Sequence, residues 1–309
     1  MKTRYLVVFG ILLVLAIVVI IFLSGNKISG NVIADTGKIE IAGSDTLLQL
    51  VSGLAESYSK QNPNVKISVT GGGSGAGIAS LINGNIDIAD ASRKIKQEEL
   101  DNAAANGVKP FEFVIANDML SVIVNEDNPV KKLTIDQLSE IFKGNITNWK
   151  QVGGDDKEIT LYGRQSTSGT YTFFMEDVVK GDYSPEMRNL EGNQAILDAV
   201  KQDSSGIGYA GLGYIADESG NKVSGINVIE VSKNNLDYFS PLNKQDLAVY
   251  PISRALFQYF SKKPEKGSAA YNFLMFELGK GGQDIVKQSG FMELTSSDVA
   301  HNNQKLNGI

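Results

Sequence analysis

The chain has 309 residues, enough for about two domains, with 42% hydrophobic and 21% charged residues, an ordinary balance for a protein with a sizeable core. It has no cysteine and a single histidine, His301, which excludes disulfide scaffolds, thiolate metal sites, cysteine nucleophiles, Ser-His-Asp triads and histidine-rich metal centres. Its net charge of -6 provides no broad positive field for a nucleic-acid backbone.

Tyr5 to Leu23 (YLVVFGILLVLAIVVIIFL) carries no charge and comes after Lys2 and Arg4. As a helix rising 1.5 Å per residue it is roughly 28 Å long, about one bilayer core. That exceeds the usual ~7–15 residue core of a secretory signal and favours an uncleaved anchor over a long signal cut near Ala34. The basic flank holds the N-terminus in the cytoplasm and exports the chain beyond Leu23. Residues 1–25 are therefore expected to be the anchor, and the small polar stretch 26–37 a tether. Removing Lys2, Arg4, Lys27 and Asp35 from the totals of 29 basic and 35 acidic residues leaves the exported part, from Lys38 on, at -8.

From Lys38 on, strands and helices alternate. Lys38–Ala42 reads as a strand, and residues 46–61 as a helix with its stripe at Leu47, Leu50, Val51, Leu54 and Tyr58, stopped by Pro63. Then come a strand at 65–69, the glycine loop 71–77, a short helix to Ile82 and a buried strand at 86–89. A helix at 96–106 and strands at 111–115 and 120–124 are next. The pattern then restarts with a helix at 135–142, a strand at 159–162 and a Ser/Thr/Gly loop opening a helix at 169–179. Such alternation predicts α/β layers with parallel sheets.

One unit recurs: a strand, a Ser/Thr/Gly loop, then a helix N-terminus. It occurs at Gly43-Ser44-Asp45-Thr46, at 71–77 and at Arg164-Gln165-Ser166-Thr167-Ser168-Gly169-Thr170. The first N–H groups of a helix lack partners and carry partial positive charge, so they suit an oxyanion; hydroxyls add donors, and Arg164 adds a planar fork. Each loop also has a plainer reading: Ser44 or Asp45 as an N-cap, the glycines as a tight turn, Arg164 as a salt-bridging arginine. The glycine loop further satisfies a relaxed G-x-G-x-x-[GA] pattern, with Asp90 about 20 residues on, so an exported dinucleotide-dependent oxidoreductase is the alternative from another class. Against it stand the export segment and the lack of a histidine to move a proton at the hydride step.

Five segments together resemble one family. IAGSDTLLQL, VKISVTGGGSGAGIASLINGNIDIADASRKI, IFKGNITNWKQVGG, LYGRQSTSGTYTFFMEDVV and YPISRALFQYF, spread over about residues 38–295, are similar to the PstS-like phosphate-binding proteins of phosphate ABC importers. The resemblance implies the two-lobed periplasmic-binding-protein fold of type II. Lobe one would be 38–115 plus 247–309 and lobe two 116–246, with a cleft between them. It implies a monomer that binds inorganic phosphate, needs no cofactor or metal, catalyses nothing and docks on a membrane permease driven by an ATPase. It would work outside the cytoplasm, held by residues 5–23 or secreted. Matched residue by residue, the phosphate contacts would be Ser44, Asp45 and Thr46, then Ser74 and Gly75, then Ser92 and Arg93, and from lobe two Arg164, Ser168, Gly169 and Thr170.

One position departs from the family. Many members have an aspartate where Ser92 stands, accepting the proton that phosphate retains. Here that acceptor would be Asp45, Asp90 or absent, which keeps sulfate, molybdate and tungstate open as ligands. Asn145-Ile146-Thr147 is a glycosylation sequon, Trp149 is expected to be packing, and His301 is expected to be solvated in a polar tail.

Overall fold

The computed structural model describes residues 37–217 and 219–307. The expected N-terminal anchor, and the tether up to Thr36, lie outside the described residues. Among the described residues no helix is long and apolar enough to cross a membrane.

Strand β1 (Gly37–Gly43) buries Ile39 and Ile41, while Lys38 and Glu40 on its other face pair with each other. Helix α1 (Leu48–Gln61) buries Leu50, Val51, Leu54, Ala55 and Tyr58, the expected stripe, and stops before Pro63. After β2 (Val65–Thr70) come α2 (Ser74–Ile82) and β3 (Ile88–Ala91). The third strand lies further along the chain than the expected 86–89; Asp87 just before it donates its N–H to Glu40 C=O at 3.0 Å and accepts Glu40 N–H on its carboxylate at 2.9 Å. β1 pairs in parallel with both β2 and β3, so their C-terminal ends, and the starts of α1 and α2, share one edge.

Next come α3 (Gln97–Ala105) and β4 (Phe111–Met119). β4 and β12 (Ser253–Phe260) complete a first sheet of order β2-β1-β3-β12-β4, with β12 antiparallel to both neighbours. Beyond Leu120 the chain enters a second sheet as β5 (Ser121–Asn125). Its companions are β7 (Thr160–Arg164), β8 (Arg188–Leu190), β9 (Gly206–Ala210) and β10 (Ile226–Val228), in the order β10-β5-β9-β7-β8. β7 is parallel to β8 and β9; β5 is antiparallel to β9 and β10. A two-stranded ladder joins β6 (Lys132–Thr134) to β11 (Glu230–Ser232).

The passages between the sheets bond to each other. Leu120 N–H donates to Ile252 C=O at 2.9 Å, and the Tyr250 hydroxyl to Leu120 C=O at 3.0 Å. These two backbone crossings run side by side and are the neck between the two sheets. One core, around Ile123, Leu138, Phe142, Trp149 and Ile207, covers the second sheet. Two others, around Leu50, Phe113 and Phe273 and around Ile78, Val114 and Tyr259, pack on the first sheet. Trp149 is 1% exposed and donates Nε1–H to Ser205 C=O at 3.0 Å, a packing residue as expected.

The C-terminal segment corrects the expectation of a solvated tail. It forms helix α10 (Ser296–Asn307), docked on β4 through Asn302, whose side chain donates to Val114 C=O at 2.7 Å and accepts Val114 N–H at 2.9 Å. His301 Nε2 lies 3.3 Å from Glu112 Oε1 and is partly covered.

Candidate functional site

The three Ser/Thr/Gly loops converge where the two sheets face one another. In the first, Ser44 N–H is bonded to Asp90 C=O at 2.9 Å, which ties the β1 end to the β3 end and leaves Asp45 and Thr46 at the loop tip. Neither Ser44 nor Asp45 is the N-cap of α1; Leu47 occupies that position, with no side-chain cap. The Asp45 carboxylate instead accepts Gly72 N–H at 2.9 Å and, from the second sheet, Arg164 Nη2–H at 2.5 Å. The Tyr214 hydroxyl, in α7 (Leu212–Ile215), donates to Asp45 C=O at 2.6 Å.

The glycine loop needs its glycines for close approach. Gly73 has φ +94°, and a Cβ there would lie 2.6 Å from Thr167 C=O of the third loop. The adjacent Gly75 N–H donates to that same carbonyl at 3.0 Å. Ser74 is fully buried, and its Oγ accepts Ser92 N–H at 3.0 Å.

Helix α5 (Gly169–Phe174) opens on the third loop, with Ser168 as its N-cap; Ser168 Oγ accepts Thr170 N–H at 3.1 Å and Tyr171 N–H at 3.3 Å. The helix expected over 169–179 is present but continues from Met175 to Val179 as a π turn. Gly169 lies directly on Ser74 and Ser92, and a Cβ there would come within 2.7 Å of Ser92 Oγ.

Thr170 is the hub. Its Oγ1 is 2.9 Å from Thr46 Oγ1 and 3.4 Å from Ser92 Oγ, and it accepts Arg254 Nη2–H at 3.0 Å. Arg254 was not among the residues singled out from the sequence. It is buried in β12, its Nε and Nη2 donate to Asp118 Oδ2 at 3.2 and 2.9 Å, and its Nη1 donates to Ser92 C=O at 3.0 Å. Asp118 Oδ1 also accepts Leu212 N–H at 3.0 Å, so this pair ties β4, β12 and the second sheet together beside the neck. The readable signal was a lone arginine in the otherwise uncharged strand segment SRALFQYF; Asp118 shares its strand with Glu112.

Arg164 has the feature that suggests a ligand. It is 1% exposed, and its Nη1 is buried with no hydrogen-bond partner. Burial lowers its pKa from the ordinary arginine value, and the Asp45 carboxylate pulls the other way; an arginine so placed keeps its charge. A buried, charged N–H with nothing to donate to is costly unless an acceptor arrives.

The sequence expectations thus divide. Asp45, Thr46, Ser74, Ser92, Arg164, Ser168, Gly169 and Thr170 come together, with Ser44 and Gly75 holding the loop backbones. Arg93 stands apart: its fork is engaged by Glu99 at 2.8 and 2.7 Å and by Lys94 C=O at 2.9 Å, and it does not reach Thr170. Asp90 faces the interior, where Gln258 Nε2 donates to it at 3.1 Å and to Glu277 at 3.2 Å. Burial, with Gln258 pulling weakly the other way, pushes the Asp90 carboxyl up to about 8, and burial with the nearby Asp90 raises Glu277 well above its usual range. A dinucleotide site needs Asp90 free to meet a ribose hydroxyl, so the glycine loop does not have that use here.

The sequence matches the family model of the PBP superfamily domain over residues 31–279. The phosphate-binding protein PstS of Pseudomonas aeruginosa is 34% identical over 277 residues, 84% of each chain. This chain belongs to the PstS-like phosphate-binding proteins of the PBP superfamily. PstS of Staphylococcus saprophyticus is 33% identical over 295 residues, covering 92% of this chain and 88% of that one. Among solved structures, a putative phosphate ABC transporter substrate-binding protein with bound phosphate from Clostridium perfringens superposes with a TM-score of 0.72 at 28% identity, over 84% of this chain and 100% of that one. The PstS-like fold of type II, with two α/β bodies and loops meeting between them, is the one described above. The family is one of substrate-binding proteins.

Proposed function

We propose that this protein binds inorganic phosphate outside the cytoplasm and delivers it to an ABC-type importer. The observation that carries the reading is the buried, unpartnered Nη1 of Arg164, set among loops whose hydroxyls and N–H groups converge from both sheets. Phosphate is a small tetrahedral acceptor of matching chemistry. The names of the PstS relatives support the same ligand.

The contacts we assign are Ser44, Asp45, Thr46, Ser74, Gly75, Ser92, Arg164, Ser168, Gly169 and Thr170, with Arg254 added. Arg93 acts from outside this set by holding the turn after Ser92. The two lobes would be those expected from the sequence, 38–115 with 247–309 and 116–246, with their bounds moved to Leu120 and to 250–252, where the chain passes between the sheets and where the hinge would lie. A ligand held by both loop sets favours the closed form, since only that form makes all the contacts. Asp45 is the carboxylate placed to accept the proton of phosphate. The protein works without catalysis and as a monomer, tethered by residues 5–23 or secreted, and its partner is the importer's permease and ATPase.

Calorimetry of residues 38–309 against phosphate, sulfate, molybdate and NAD tests this. Phosphate should bind most tightly by a wide margin. Tighter binding of any of the other three, or no heat with phosphate, would overturn it.

A further inference from the structure

The edge of the first sheet opposite the Ser/Thr/Gly loops is basic, in a protein that is acidic as a whole. β1 and β2 begin there, with Lys38 beside Lys66 in the parallel register. β12 ends there, since Phe260 pairs with Ile88 of β3 and with Phe111 of β4. The turn that follows β12 (SKKPEKG) therefore leaves from this edge and brings Lys262, Lys263 and Lys266, all exposed. Lys109, also exposed, lies over the Phe111 ring at 5.7 Å. Against these six lysines stand four carboxylates. Glu40 is paired with Lys38, Glu265 with Lys262 at 3.6 Å, Glu112 is held by the Tyr259 hydroxyl at 2.7 Å and lies 3.3 Å from His301, and Asp87 accepts Glu40 N–H. Lys60, at the end of α1, is balanced by Glu56. Among the described residues Lys66, Lys109, Lys263 and Lys266 form no ion pair. The chain enters the folded body at this same edge: a Cβ on Gly37 would lie 2.8 Å from Ala269 Cβ, just beyond the lysine turn.

We propose that this lysine edge rests on anionic lipid headgroups and seats the tethered protein with its Ser/Thr/Gly loops turned away from the membrane. The inference rests on the anchored form of the reading above and not on the identity of the ligand. Twelve tether residues, 26–37, reach about 40 Å fully extended and roughly 20 Å as a flexible coil, so the edge stays close to the lipid surface. Holding it there makes the contact intramolecular, and a weak attraction then suffices. Lysines near an anionic surface are drawn to it, each by on the order of fivefold in affinity, within a screening length. The exported part carries -8 in all, so the faces outside this positive edge are more acidic still and are repelled. That difference selects the face. The loops lie at the other ends of β1, β2 and β3, one strand length away, and stay open to the exterior.

The chain has no cysteine, so a single introduced one can carry a donor dye. Asn85→Cys places it at the basic edge, and Gln97→Cys near the turn after Ser92 at the opposite edge; both positions are exposed. The full chain is reconstituted in phosphatidylcholine vesicles, with or without about one-third phosphatidylglycerol, and energy transfer to a headgroup-labelled lipid is measured. The ratio of transfer from position 85 to transfer from position 97 should rise by about twofold or more with the anionic lipid. It should fall back as salt goes from about 0.01 M to about 1 M, where the screening length shrinks from ~30 Å to ~3 Å. Lys262→Gln/Lys263→Gln/Lys266→Gln turns the net charge of the edge negative and should abolish the rise, with an unchanged melting curve because these side chains are exposed. A ratio that anionic lipid leaves unchanged, or a rise that survives the triple substitution, would overturn the inference. A full chain that does not float with neutral vesicles would overturn the anchor, and the inference with it. Phosphate binding is untouched by either outcome.

Discussion

Replacing Arg164 with alanine tests the site most directly, because two effects add. Nη1 is buried with no partner, so the bond it gives a phosphate oxygen is charge-assisted and contributes roughly 1.5–3 kcal/mol, about 10- to 150-fold in Kd. The second effect is the field of Asp45. In the native protein that carboxylate is neutralised by Arg164 Nη2 at 2.5 Å. Without the guanidinium it keeps Gly72 N–H and the Gln165 amide at 3.4 Å but faces the anion as a like charge with no counter-ion. At an effective dielectric of about 20 and a separation near 5 Å this repulsion is of order 3 kcal/mol per unit charge, an upper bound because water enters the space the arginine leaves. Arg164→Ala should therefore lower phosphate affinity by about a hundredfold or more, and Arg164→Lys should recover only part, since an ammonium cannot serve both Asp45 and the ligand with one planar fork. Calorimetry at fixed pH and ionic strength reads both, and the double variant Asp45→Asn/Arg164→Ala separates the two effects by binding better than Arg164→Ala alone. An affinity for Arg164→Ala within about threefold of the unmodified protein would refute the assignment, and a double variant no better than the single would refute the role given to the Asp45 field.

Gly169→Ala brings a methyl group onto Ser74 and Ser92 where the loops meet, and should weaken phosphate by about tenfold or more while the thermal midpoint changes little; calorimetry and a melting curve check it. Asp45→Asn should narrow the preference for phosphate over sulfate in competition binding, whereas Asp90→Asn should leave it unchanged, because Asp90 faces Gln258 and Glu277. Arg254→Ala strands Asp118 as a buried unpaired charge and should cost roughly 3–5 kcal/mol in urea unfolding, with weaker phosphate binding besides. The Asp90 carboxyl sits at about 8 in the folded chain against ~4 unfolded, so the folded state holds the extra proton: its contribution is full below about pH 4 and lost as the pH rises to about 8. Asp90→Asn should flatten the decline of the urea midpoint across that window, and an unchanged slope would count against a buried neutral Asp90.

What was legible in the sequence was mostly local. Each strand–loop–helix unit is written in adjacent residues, so the Ser/Thr/Gly loops at 43–46, 71–77 and 164–170 could be read before knowing that they meet. What was missed depends on distant pairing. Arg254 and Asp118 face each other only because β12 returns antiparallel to β4 with those two residues in register. Nothing local to either position predicts that return. The C-terminal helix was missed for another reason: it docks through Asn302, which serves a strand backbone with an amide, and hydrophobic patterning does not register such an anchor. Arg93 was named for its position beside Ser92; that Glu99, six residues on, binds both arms of its fork could not be read from that position alone.

The electrostatics of the site explain how a protein so acidic can hold an anion. Both buried arginines beside the loops are matched, Arg164 by Asp45 and Arg254 by Asp118, so the formal charge of the site is near zero. Unmatched buried arginines would carry a desolvation penalty of several kcal/mol each whenever the ligand was absent. Pairing them with carboxylates keeps that penalty low, and the carboxylates in turn fix where the remaining N–H groups point. On the contacts proposed above, attraction for phosphate would then come from directed donors, Arg164 Nη1 and the hydroxyls around Thr170. Donors held in this way favour an ion of one shape, and the role proposed for Asp45 would add a preference for one that still carries a proton. A site with unmatched positive charge would bind more anions and distinguish fewer.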